Sequence, residues 1–118
     1  MIRITQDQMD ALALDQQARF ADRVVTHLKE HFPDAAVLAP TELHAGVLKQ
    51  IANAEGYGLY LEQEQAAYVT SAWLMGEDFD TRMPAAESVL SAAALTGEEK
   101  RQWLEEFTRK IFTCLEKN

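Results

Sequence analysis

The sequence has a single cysteine, Cys114, which excludes an intrachain disulfide framework. It has no apolar run approaching the roughly 20 residues that a membrane-spanning helix requires. Its first residues, Met1-Ile2-Arg3-Ile4-Thr5-Gln6-Asp7, hold no apolar signal segment. Basic residues are scarce: 11 Lys plus Arg stand against 19 Asp plus Glu, a formal net charge of -8. Nucleic-acid binding through phosphates calls for a basic face, and so does docking on anionic lipid, so neither is expected as a partner. Pro and Gly are few, 3 and 5 in 118 residues, and no linker rich in either divides the chain. The expectation is one soluble, cytoplasmic domain covering residues 1–118.

What is present is an ordinary globular balance, 47% hydrophobic and 25% charged, which argues against intrinsic disorder. The hydrophobic period is helical. Thr5 with Gln8 reads as a capping box, and Ile4 with Met9 as a hydrophobic staple. Met9, Leu12, Ala13, Phe20, Val24 and Leu28 then form one stripe, predicting a first helix of about 26 residues that stops before Pro33. A second helix is expected from Thr41, with Leu43, Val47, Leu48 and Ile51 inward and Gly56 at its C-terminal cap. Tyr57-Gly58-Leu59-Tyr60 reads as a connector. A third helix is expected over Glu62 to Met75, with Ala66, Tyr68, Val69 and Trp73 inward and Gly76 ending it. Residues 77–82 read as an acidic loop. Pro84 opens a short fourth helix carrying Val89 and Leu90. Thr96 and Glu99 form another capping box before a fifth helix, which buries Trp103, Leu104, Phe107, Ile111, Cys114 and Leu115. The predicted fold is all-α, a single-domain bundle of about five helices with short connections.

The acidity is concentrated. Between residues 55 and 87, Glu55, Glu62, Glu64, Glu77, Asp78, Asp80 and Glu87 face one base, Arg82. The same stretch holds Tyr57, Tyr60, Tyr68, Trp73 and Phe79. Most helix-spaced aromatics belong to a core, but aromatics ringed by charge also make interface anchors. Tyr57 and Tyr60, on the Gly-flanked connector, are the ones expected outside.

Signatures of catalysis are weak. His27-Leu28-Lys29-Glu30-His31 matches H-x-x-E-H, in which two histidines one helical turn apart face a metal and the glutamate acts on its water. Two His and one Glu within five residues are common by chance, and histidines in a helix's last turn complement its dipole. Asp78-Phe79-Asp80 resembles the opening of a calcium loop, but a 12-residue loop from Asp78 puts Met83 and Val89 where Gly and Glu are needed. Gly56 and Gly58 give only G-x-G, without a nucleotide fingerprint. No metal, cofactor or catalytic residue is expected.

The opening Met1 to Leu12 stretch, Arg19-Phe20, Ala54-Glu55-Gly56-Tyr57-Gly58-Leu59, Tyr68-Val69 and Gly76-Glu77-Asp78-Phe79-Asp80 resemble a family of small helical bacterial proteins encoded beside type VI secretion components. The resemblance covers nearly the whole chain. It departs at Pro84-Ala85-Ala86, where a Trp is expected soon after the proline. It implies no reaction. It implies a cytoplasmic accessory that assists an adaptor or chaperone holding an effector before loading onto the secretion spike. The partner would be an adaptor, an effector or a spike-tip protein. On that reading Tyr57, Tyr60 and Phe79 anchor the partner, while Glu62, Glu64, Asp78 and Asp80 fix its orientation. The alternatives are an immunity protein that neutralises a toxin, a metal-dependent hydrolase using His27, Glu30 and His31, and a homodimer that pairs apolar stripes between chains.

Overall fold

The computed structural model describes residues 6–117, and the side chains of that span other than 7, 9–14 and 112–117. The expected Thr5 cap and Ile4 staple, and the inward positions Met9, Leu12, Ala13, Cys114 and Leu115, lie outside what is described. Among the described residues the regular structure is all α: α1 (Gln6–His31), α2 (Pro33–Ala36), α3 (Pro40–Gly56), α4 (Glu62–Met75), α5 (Phe79–Arg82), α6 (Pro84–Leu90) and α7 (Gly97–Lys117). The chain falls into two compact units, Met1–Val47 and Leu48–Asn118, and the division lies inside α3.

In the first unit α1 has the predicted 26 residues and ends at His31. Phe32 is extended (φ -128, ψ 109), as steric pressure from a following proline requires. Pro33 does more than stop the helix. Its fixed φ suits a first helical position, so it opens the four-residue α2. The stripe Phe20, Val24 and Leu28 is buried as expected, and Ala21 and Val25 widen it. Ala35 on α2 and Leu43 and Val47 on α3 are buried too. His44 on α3 meets Asp22 on α1 at 3.1 Å. Between α2 and α3, the apolar stretch Ala36-Val37-Leu38-Ala39-Pro40 is exposed.

In the second unit α4 packs along α7, α5 packs on α4 and α6, and α6 packs on α7. The core cluster is Ala54, Leu59, Tyr68, Ala72, Met75, Phe79, Ala86, Leu90 and Leu104. Each large apolar side chain fully buried there contributes about 1.5–3 kcal/mol. Ser71 on α4 and Thr108 on α7 share a hydrogen bond of 3.1 Å. The segment expected as a loop contains α5: Phe79 is withdrawn into the core, and the Arg82 side chain donates to the carbonyl of Met75, fastening α5 to the end of α4. Trp73, expected inward on α4, is half-buried, and Ala72 and Met75 take the inward positions instead. Among the described apolar side chains of α7, Leu104 is fully inside, while Trp103, Phe107 and Ile111 lie half-buried against the cluster. The Thr96–Glu99 capping box forms as predicted, with both reciprocal bonds at 3.1 Å.

Candidate functional site

The connector between α3 and α4, residues 57–61, combines an exposed apolar pair with a tightly held backbone. Its first half is the end of α3. The amide of Leu59 donates to the carbonyl of Ala54, and that of Gly58 to Glu55, both at 3.0 Å. This is the paired pattern of a Schellman cap, and Gly58 supplies the left-handed residue it needs (φ 82). The capping glycine is therefore Gly58, two residues beyond the predicted Gly56. The motif favours an apolar contact between Leu59 and Ala54, and both side chains are in the core cluster.

Four side chains hold this connector. Lys100 on α7, itself buried, donates to the carbonyl of Tyr57 at 2.8 Å. Gln65 on α4 donates to the carbonyl of Leu59 at 3.1 Å. Glu64, at the third position of α4, accepts from the amides of both Tyr60 and Leu61 at 3.2 Å. The Tyr57 hydroxyl donates to the Asp80 carboxylate on α5 at 2.7 Å. A buried backbone group without a partner is costly, so these bonds fix the connector's path.

Glu64 also bears on α7. A Cβ added at Gly97, the first residue of that helix, would lie 2.6–2.7 Å from the Glu64 carboxylate. The carboxylate thus sits at the start of α4 and against the start of α7, where helix dipoles favour negative charge.

The seven residues expected to bind a partner separate into three groups. Tyr60, Glu62 and Asp78 are exposed. Phe79 and Glu64 are buried, so neither presents a surface to a partner: Phe79 packs against Tyr68 with ring centroids 5.1 Å apart, and Glu64 is occupied with the connector. Tyr57, expected outside, is half-buried, and Asp80 is partly buried as its acceptor. Leu61, which sequence reasoning passed over, is 55% exposed beside Tyr60 at 72%.

The Tyr57 hydroxyl is pushed up to about 12, first by burial and then by its bond to Asp80 and the charges of Asp80 and Glu87. Burial, with the charge of Asp80 next, holds the Tyr68 phenol protonated well above its ordinary range. The Tyr68 hydroxyl makes no hydrogen bond of normal geometry among the described residues.

The histidine motif looks different. His27 and His31 are exposed on the last turns of α1, with ring centroids 4.3 Å apart. Asp22, Arg23, Thr26, His27 and Glu30 line a wide-open depression of about 270 Å³. Asp22 is engaged by His44. Hydrolytic zinc needs three protein ligands, and no group of three His, Cys, Asp or Glu suited to an ion occurs among the described residues. No helix among them is long and apolar enough to cross a membrane.

No protein family, characterised protein or solved structure matches the chain.

Proposed function

We propose that the chain is a non-enzymatic protein-binding accessory whose docking element is the Tyr60–Leu61 connector. The observation that carries this reading is the contrast between the connector's backbone and its side chains. Lys100, Gln65, Glu64 and Tyr57 fasten it. Tyr60 and Leu61 nonetheless face solvent. An anchor already held in one conformation loses little entropy on binding, which is what preorganised interfaces exploit. Aromatic anchors dominate binding energy in most interfaces.

In the setting implied by the resemblance to type VI secretion neighbours, the role is cytoplasmic assistance in effector loading, and the partner is an adaptor, an effector or a spike-tip protein. The test is pairwise co-purification with defined adaptor, effector and spike-tip proteins, using the native chain and the Tyr60→Ala/Leu61→Ser double variant. Capture by the native chain and loss with the folded double variant supports the proposal. Equal capture by both removes the connector from the interface. The acidic surface also suits an inhibitor of a basic toxin. Co-expression separates the two roles: an immunity protein rescues cells from its toxin, whereas a loading accessory alters effector solubility or secretion without protecting.

A further inference from the structure

We propose that His27 and His31, in the last turns of α1, form a two-histidine clip for a divalent transition cation, Cu(II) first and Ni(II) second, with water completing its coordination. The proposal concerns the first unit and does not depend on the connector.

Residues four apart on a helix share a face. Here that sets two imidazoles side by side, with ring centroids 4.3 Å apart and planes tilted by 49°. Both residues are exposed. Among the described residues neither imidazole is taken by a hydrogen bond or an ion pair, whereas the third histidine, His44, is taken by Asp22.

The spacing of the rings is that of a chelate. A histidine nitrogen binds such a cation at about 2.0–2.1 Å, which puts the ring centre about 3.2 Å from the metal. Two bonds of that kind at a right angle set the ring centres about 4.5 Å apart, whereas a tetrahedral angle needs about 5.2 Å. The observed 4.3 Å lies beside the first value. Right-angled neighbours belong to the square-planar and tetragonal sites of Cu(II) and Ni(II) rather than to tetrahedral zinc, and intrinsic affinity for nitrogen donors peaks at Cu(II).

The position also suits a cation. The last turns of a helix carry the negative end of its dipole. Glu30 and Asp34 offset the nearby bases Arg23 and Lys29, so no net positive field opposes the ion. Two protein ligands fall short of the three that hydrolytic zinc uses, so the clip holds a cation and no reaction is assigned to it. Because the two rings meet only while this turn is helical, a bound cation stabilises the folded state of the chain.

The experiment titrates the full chain, stripped with chelator and free of any histidine tag, with copper(II), nickel(II) and zinc(II) chlorides in separate calorimetric runs. His27→Gln, His31→Gln and His44→Gln are run alongside, after circular dichroism has shown that they are folded. One Cu(II) is expected to bind the native chain, with two nitrogen ligands in its electron paramagnetic resonance spectrum, and to raise the thermal midpoint. His27→Gln and His31→Gln each weaken binding by about tenfold or more, because each removes the advantage of a second ligand held in place. Both also abolish the thermal shift, while His44→Gln leaves affinity and shift as they are. Binding that survives both clip substitutions puts the cation elsewhere and overturns the proposal. Loss with one of the two alone shows a single-imidazole contact and overturns the clip. Zn(II) binding more tightly than Ni(II) overturns the right-angled coordination.

Discussion

At Gly97 the side chain is limited to a hydrogen atom by Glu64, whose carboxylate lies 2.6–2.7 Å from where a Cβ would stand. Gly97→Ala is expected to destabilise the chain by about 1–3 kcal/mol in chemical denaturation, the usual cost of overpacking. The same substitution in a Glu64→Ala background should cost measurably less, and full additivity in that double-mutant cycle would refute the contact. The tyrosines give a second pair of outcomes. Tyr57→Phe loses a hydrogen bond to a carboxylate and should cost about 1.5–3 kcal/mol, whereas Tyr68→Phe removes a buried hydroxyl that makes no hydrogen bond of normal geometry and should cost less. The pH dependence follows from the raised value at Tyr57. Because its phenol titrates near 12 in the folded chain and at 10.0 ordinarily, the folded state holds the proton more tightly. Its contribution is therefore complete below pH 10 and disappears as the pH climbs to about 12. Thermal midpoints measured across that range should fall less steeply for Tyr57→Phe. None of these pairings was legible in the sequence, because each joins residues that only the folded chain brings together: Tyr57 with Asp80, Lys100 with Tyr57, Glu64 with Gly97. An acid reads as solvated until a neighbouring backbone is seen to need it.

Among the helices, legibility followed length. A stripe running over many turns fixed α1 to its observed 26 residues, and the Thr96–Glu99 signature placed the start of α7. Helices of four residues carry no period, so α2 and α5 were hidden, although Pro33 was a visible clue to the first. Spacing also identified α7's inward side without resolving depth. Trp103 and Phe107 stack at 4.6 Å but remain half-buried. Trp103→Ala should therefore cost about 2 kcal/mol by denaturation, below the roughly 3–5 kcal/mol of a fully buried aromatic, while Leu104→Ala should cost about 2–5 kcal/mol. A larger loss at Trp103 than at Leu104 would show that α7's inner face is turned toward the tryptophan.

For the chain as a whole, the all-α class was the safest reading, since it depends on many positions and no single one decides it. The excess of 19 acids over 11 bases has a consequence for stability as well as for partners. Like charges repel most when the chain is compact, and salt screens them. Raising sodium chloride from low to physiological concentration is expected to raise the thermal midpoint, and an unchanged or lower midpoint would show that internal ion pairs outweigh the net repulsion. The placement of Glu64 matters for anyone mapping this acidic protein by lysine scanning. Glu64→Lys would put a cation among amides that need an acceptor and beside a glycine with no room to yield. Of all the acids between 55 and 87 it should give the severest phenotype, although its carboxylate is buried and taken by the connector's amides. Such a false hot spot is exposed by its melting curve, which shifts even when nothing is bound.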